Sequence, residues 1–380
     1  MPLNVNGDRI REARLFNKMT ITKLADELGI SKQMVSRYEH GKANISLEKF
    51  RKMVKILNFP TAFFTGHRKF EYENFGTFYR SRLTATQSEK QPSELYKEAA
   101  AVLRDYFEQY IQFPSLDIMD VENIDNPEEA ARMLRAEWGL GLGAIHNIVE
   151  VMEAHGLTVI NIDFQSDKID ARSGYTEING HKYYVVLTDM GRSNFYREQF
   201  TLAHELGHYI LHGDKLEPQD LSIEEYRAIE KEANLFASAF LLPDETFSAD
   251  IRSIKRDNLL DYLPLKTTWN VSVAAMIMRA RALGLVDSAQ YEKLQKAISY
   301  RGWRKEEELD ELKATPPHLM HDAFRLMEEH TSLKPSTLAS VIDNNYGYNY
   351  PNEVLATILG LPLKEFSSEV VPLTLKTKGI

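Results

Sequence analysis

The stretch FTLAHELGHYILH, Phe200–His212, constrains the fold more than any other part of the sequence, because two histidines stand four residues apart with a glutamate between them. On an α-helix, residues four apart rise about 6 Å and share one face, so both imidazoles can reach one tetrahedral metal at about 2.0–2.1 Å. Glu205 lies beside that face, where it can take a proton from a water at the metal's open position. The flanking residues are apolar and helix-forming, which is the context this spacing requires. The chain of 380 residues contains no cysteine, so disulfides are excluded and any metal must be held by nitrogen and oxygen. His204 and His208 are the ligands this predicts, and Zn2+ is the ion. His212 lies about 12 Å along the same helix from His204, too far to share a tetrahedral ion, so it is expected to support the ligands or to pack.

A third protein ligand is expected downstream. After the acidic loop GDKLEPQDLSIEEY comes IEKEANLFASAFLLP, which places Ala233, Phe236, Ala237 and Phe240 at core spacing and ends at Pro243. Its early turns hold two acids, Glu230 and Glu232. Two histidines and one carboxylate with a fourth position open is the catalytic rather than the structural zinc arrangement. A surface charge is the alternative for either acid.

FTLAHELGH and the following E-x-E-A-N-x-F-A-x-x-F-L-L-P together resemble the ImmA/IrrE family of metallopeptidases, from about Glu128 to Phe247. The resemblance implies a zincin-like endopeptidase domain whose known members cleave repressor proteins. It matches His204 and His208 to metal ligands and Glu205 to the general base. It also matches Glu230 to the third ligand, in preference to Glu232.

The N-terminal region has a different character. Net charge over the chain is −9, yet residues 1–66 hold 12 Lys/Arg against 6 Asp/Glu, which leaves the remainder at −15. A small basic module on an acidic body is expected where one end meets phosphate. Short apolar-periodic segments follow each other closely here. Thr20 or Thr22 can cap one helix, Gly29 turns the chain, and Ser31 caps the next, with Met34, Val35 and Tyr38 facing inward. This is the sequence form of a helix-turn-helix. MTITKLADELGISKQMVSRYEHGKANISLEKFRKMVKIL resembles the XRE family of repressor-type helix-turn-helix domains, from Asp8 to about Phe64. The resemblance implies that Ser31–His40 is the recognition helix, with Ser31, Lys32, Gln33, Ser36 and Arg37 facing DNA. Gln33 can pair bidentately with adenine, and Arg37 can read guanine or grip phosphate. Ile21 stands where family members usually carry Gln, which removes one contact to phosphate or base.

Between these regions, residues 68–91 mix aromatics with polar residues and read as a connector able to enter a cleft as an extended strand. Pro92 is expected to open a long helix to about Phe113, whose Leu95, Ala99, Val102, Leu103, Tyr106, Tyr110 and Ile111 seam suits either a dimer contact or the core. Helices over 128–139 and 148–155 precede β-rich runs LTVINIDF and YYVVLT, and Asn179-Gly180 marks a hairpin. Tyr300–Lys313 reads as a charged helix, and Pro316–Ile380 as two small helical units.

The expected fold is therefore multidomain and mainly α with an α+β part. It comprises an all-α helix-turn-helix domain over 1–66, a connector and long helix over 67–118, a metallopeptidase domain with a small antiparallel sheet over 119–300, and a C-terminal helical domain over 301–380. The arrangement resembles single-chain XRE-plus-ImmA/IrrE regulators. It implies a homodimer on a double-stranded DNA operator and a protein substrate, either a repressor or the chain itself. A regulator whose zinc domain is a non-catalytic sensor or scaffold is the alternative; an antitoxin-like module would not need the intact H-E-x-x-H. No run approaches the 18–20 apolar residues of a membrane span, and MPLNVNGDRIREAR lacks the apolar core of a signal peptide, so a cytoplasmic protein is expected.

Overall fold

The computed structural model describes residues 4–78, 87–116, 126–164, 171–191, 194–213, 221–304 and 306–367. These fall into two compact units, Met1–Lys69 with His321–Ile380, and Phe70–Met320.

The first unit opens with α1 (Gly7–Phe16), α2 (Ile21–Leu28), α3 (Lys32–Glu39), α4 (Leu47–Leu57) and α5 (Thr61–Thr65). Local capping sets their starts. The side chains of Asn6, Thr20, Ser31 and Ser46 accept from the backbone N–H groups of Asp8, Lys23, Met34 and Lys49. Gly29 closes α2 in the left-handed region at φ 66°, which a residue without Cβ adopts freely. Ile10, Ala13, Leu24, Val35, Met53 and Phe63 fill the core between these helices.

The second unit holds β1 (Tyr72–Phe78), α6 (Gln87–Glu108), α7 (Pro127–Glu137), α8 (Ile148–Ala154), β2 (Thr158–Asn161), β3 (Ala171–Ile178), β4 (His181–Thr188), α9 (Phe195–Leu211) and α10 (Ile223–Leu241). It continues with α11 (Asp244–Ser253), α12 (Leu263–Trp269), α13 (Val273–Ala282) and α14 (Ser288–Tyr300). The sheet is small, as the pattern predicts, and mixed. Its order is β1-β3-β4-β2, with β1–β3 and β3–β4 antiparallel and β2 parallel to β4. The parallel pair arises because β3 and β4 form a hairpin on Asn179-Gly180, both at positive φ, which lays β4 beside β2 in the same direction.

Helices α6 and α9 cover opposite faces of the sheet. Arg172 donates to Ser93 on α6, while its neighbour Ser173 donates to Glu205 on α9, and adjacent strand residues point to opposite sides. The buried seam of α6, including Leu95, Ala99, Val102 and Leu103, is thus spent on β3 and β4 within the chain. Tyr110 stays 61% exposed.

Two sequence expectations need correction. The long helix begins at Gln87 with Pro92 inside it, and ends at Glu108 instead of Phe113. Tyr300–Lys313 is not a helix beyond the end of α14; no described residue of 301–317 is helical. Its acids are drawn inward instead. Glu307 and Asp310 bind the fully buried Lys266 ammonium, and Glu307 also accepts from the Val273 and Ala274 N–H groups that open α13. That buried pairing competes with local helix formation and wins.

The chain then returns to the first unit as α15 (Leu319–His330), α16 (Pro335–Tyr346) and α17 (Asn352–Ile358). Tyr348 and Tyr350 are fully buried, and Tyr348 packs on Phe63 at 5.3 Å between ring centroids. No helix among the described residues is long and apolar enough to cross a membrane.

Candidate functional site

Helix α9 starts at Asn194, whose side chain accepts from the Arg197 N–H, and is buried along most of its length. This fixes His204 and His208 on one face. Helix α10 starts at Ser222 in a reciprocal capping box with Glu225 and lies along α9, burying Ala233, Phe236, Ala237 and Phe240. Gly207 makes the close crossing possible. A Cβ there would stand 3.1 Å from the Ala233 carbonyl oxygen and from a Phe236 ring carbon. One turn before that contact, α10 presents Glu230.

His204, His208 and Glu230 converge, with one ligand atom from each lying within 4.8 Å of the others. His204 Nε2 is 3.1 Å from His208 Nε2, Glu230 Oε2 is 3.5 Å from His204 Nε2, and Glu230 Oε1 is 3.4 Å from His208 Nε2. Ligands at tetrahedral zinc distances stand roughly 3.3 Å apart, so this cluster has the right size. Oε1 of Glu230 is buried and has no hydrogen-bond partner among the described residues, an orphaned acceptor that a cation would satisfy. Protonation states agree. Burial pushes His208 down to about 3, with the charges of His204 and His212 acting in the same direction and Glu230 opposing. Burial raises Glu230, but the His204 and His208 imidazoles 3.4–3.5 Å away outweigh it and hold the carboxyl well below the usual carboxylate range. A neutral imidazole and an ionised carboxylate are the forms a metal binds. The residues present fit zinc.

His212 lies behind His208, away from the cluster. His208 Nδ1 is 3.0 Å from His212 Nδ1, and His212 Nε2 is 3.1 Å from Glu232 Oε2. If His208 keeps its Nε2 lone pair for a metal, its Nδ1–H donates to His212 Nδ1, and the His212 Nε2–H donates to the Glu232 carboxylate. The exposed Glu232, read from sequence as either a ligand or a surface charge, thus anchors a relay that sets the His208 tautomer.

Glu205 is 6% exposed and receives a hydrogen bond from the Ser173 hydroxyl on β3. Ser173 Oγ in turn lies 2.8 Å from the Tyr184 hydroxyl on β4. Burial, and next the Glu205 charge, raise Tyr184 well above its ordinary value, so its hydroxyl stays protonated and donates to Ser173. Ser173 and Tyr184 carry no local pattern that marks them, because they reach Glu205 only through the crossing of β3 over α9.

The five residues expected at DNA lie around α3. Ser31, Lys32, Gln33 and Arg37 are exposed and Ser36 is half-buried. The inward side of α3 is fixed by Val35, Tyr38 and a buried pair in which Arg14 Nε lies 2.5 Å and its second nitrogen 3.0 Å from the two Glu39 oxygens. Arg37 also donates to the Lys42 carbonyl at 3.2 Å, which turns its guanidinium toward the end of the helix.

Residues 10–64 match the family model described as Helix-turn-helix, and residues 152–281 match the one described as IrrE N-terminal-like domain, the M78 peptidase family. A putative HTH-type transcriptional regulatory protein of Methanococcoides burtonii is 33% identical over 60 residues, 16% of this chain and 19% of that protein. Uncharacterized HTH-type transcriptional regulators of Sinorhizobium medicae and Rhizobium meliloti are each 34% identical over 64 residues, 17% of this chain and 46% of theirs. The chain thus spans less than half the length of these curated relatives.

Proposed function

We propose that this chain, which joins a helix-turn-helix domain to an IrrE N-terminal-like domain, is a transcriptional regulator carrying a zinc-dependent endopeptidase. Residues 1–66 would bind a double-stranded DNA operator as a homodimer. The domain over 119–300 would hydrolyse a peptide bond in a repressor or in the chain itself, and so end repression. The observation that carries the reading is the convergence of His204, His208 and Glu230 with Glu205 one residue from a ligand on the same helix.

His204, His208 and Glu230 would hold the zinc, which when bound supplies a Lewis acid that polarises the peptide carbonyl and acidifies water. Glu205 takes the proton of the attacking water and returns it to the leaving amine nitrogen. Ser173, braced by Tyr184, orients that carboxylate. His212 and Glu232 orient His208. Incubating the zinc-loaded chain with candidate repressor proteins, and reading fragments by mass spectrometry, tests the hydrolysis directly.

Metal analysis should find close to one zinc per chain. Glu230→Ala removes a ligand and should all but abolish zinc retention. Glu232→Ala removes a support one step behind the ligands and should weaken zinc affinity by about 10–100-fold. Competition against a chelator of known affinity ranks the two; the reverse order would assign the third ligand to Glu232.

The DNA half makes a separate prediction. Gln33→Ala and Arg37→Ala should each relax sequence preference, at about 1–3 kcal/mol for a bidentate base contact. A uniform loss of affinity across sequences, with a shallower salt dependence, would move that residue to phosphate. If selection from random duplexes recovers no preferred two-fold site, the regulator reading fails.

A further inference from the structure

A cavity of about 350 Å3 lies away from the metal cluster, and none of His204, Glu205, His208 or Glu230 lines it. Its walls are the first turns of α7 and α11, Ala239 near the end of α10, and Arg279 of α13. The volume suits a small molecule. Glu230 and Ala239 share α10, so the cavity meets the helix that carries the third ligand about 13 Å further along it.

Two buried arginines stand on its wall. Arg135 spends its guanidinium on the carbonyls of Gly141, Phe240 and Gly143. Arg279, 1% exposed, gives its Nε to the Leu242 carbonyl at 3.2 Å, which fastens the end of α10. Its Nη1 lies 2.8 Å from Glu128 Oε1 in an ion pair that misses hydrogen-bond geometry. That nitrogen is therefore buried without a hydrogen bond among the described residues, which native structures rarely leave without a reason. Helix α11 begins at Pro243 on the same wall with no side-chain cap, and a helix start of that kind favours the negative end of a ligand. The acids stand further out: the Glu128 side chain is 37% exposed, and Asp244 and Glu245 are exposed.

The Arg279–Glu128 contact restricts what can enter. A simple anion on Arg279 displaces Glu128 and leaves that carboxylate unpaired beside Asp244 and Glu245. A simple cation on Glu128 strips the partner from a buried guanidinium, which is costlier still. A zwitterion does neither. Its carboxylate takes the guanidinium with two parallel N–H bonds, and its ammonium takes the Glu128 carboxylate it has displaced. We propose that this cavity binds a small zwitterion of the α-amino-acid class, its carboxylate on Arg279 and its ammonium on Glu128. The site lies outside the hydrolytic centre and does not depend on the peptidase reading. Because Arg279 also holds the Leu242 carbonyl, occupancy is felt at the end of α10.

The test reads binding, not hydrolysis. The full zinc-loaded chain is titrated calorimetrically with each of the common L-amino acids. At least one should bind one to one with a Kd below about 1 mM. Its carboxamide and its N-acetyl derivative, each lacking one charge, should bind at least about ten-fold more weakly. Amino acids also chelate zinc, so the titration is repeated on chain stripped of metal by a chelator, where the affinity should be unchanged. Absence of any such binder, analogues that bind as well as the parent compound, or an affinity lost with the metal while circular dichroism is unchanged each overturns the proposal.

Substitution locates the site. Arg279→Gln should abolish binding, but it also releases the end of α10 and can unfold it, so the decisive variant is Glu128→Gln at the partly exposed position. It removes the partner of the ammonium and, at the same time, the charge that competes for Arg279. The amino acid should therefore bind at least about ten-fold more weakly, while the N-acetyl derivative, a plain anion, should bind more tightly than it does to the parent chain. A role for Glu128 in structure alone would move both ligands the same way. Shifts of the same sign, or no shift in either, overturn the proposal.

Discussion

Glu205→Gln should lower peptide hydrolysis by about 10²–10⁴-fold, the share a positioned general acid–base contributes, while zinc content and operator binding stay at parental levels. The three readouts separate because Glu205 is not among the converging ligand atoms of His204, His208 and Glu230. Gln keeps the size of the side chain and an oxygen that can still accept from Ser173, so the packing of α9 on β3 survives. What it loses is the ability to hold and return a proton. A ligand substitution such as His208→Ala behaves differently, since zinc leaves with the activity. In cells, the decisive comparison is reporter expression under an inducing stress, parent against Glu205→Gln. Derepression confined to the parent supports hydrolysis as the trigger. Equal derepression in both would show that the hydrolytic centre is dispensable, and the sensor or scaffold reading would replace it.

The parts of this protein that were legible in its sequence are those whose causes are local. Caps at Thr20 and Ser31 sit next to the helices they start, and the His204–His208 spacing is a property of one helix. Glu230 was reachable because its helix has its own amphipathic period, although choosing between it and Glu232 depended on family resemblance. The relay through His212 to Glu232 could not be read, because 20 residues separate the pair and only the crossing of α9 and α10 joins them. Ser173 and Tyr184 are unmarked in the sequence for the same reason. The segment 300–313 departs from its expected helix for a different reason. Its charge pattern suited a solvated helix, but burying Lys266 demanded two carboxylates, and Glu307 and Asp310 were the ones supplied. Least legible of all was the return of the C-terminal helices to the N-terminal ones. Contacts such as Arg9 with Tyr348 span 339 positions, over which no periodicity carries information.

Tyr348→Ala should destabilise the DNA-reading unit by about 3–5 kcal/mol, the usual cost of deleting a buried aromatic ring. The side chain is fully buried, with the Arg9 guanidinium 3.7 Å from its ring centroid, Tyr350 at 4.4 Å and Phe63 at 5.3 Å. Its hydroxyl accepts from Arg9 and donates to Glu12 at 3.2 Å, so truncation also strips a partner from a buried cation on α1. Helix α1 holds α3 through the Arg14–Glu39 pair, which links this core to the helix that carries Gln33 and Arg37. A domain whose whole stability is about 5–15 kcal/mol would lose a large part of it. Operator affinity should therefore fall near the growth temperature, although Tyr348 lies more than 300 positions from Gln33 and Arg37. Zinc content should not change, because the ligands belong to the other unit. Urea unfolding followed by exchange of the α1–α5 amides measures the first effect, and operator titration at two temperatures measures the second. The same core bears on how a cut in the connector could act. Residues 1–69 are held to 321–367 by packing as well as by the chain, so the two pieces should co-elute after cleavage at 70–91. If Tyr348→Ala melts and binds DNA as the parent does, or if the pieces separate on cleavage, the C-terminal helices are not part of the reader's core.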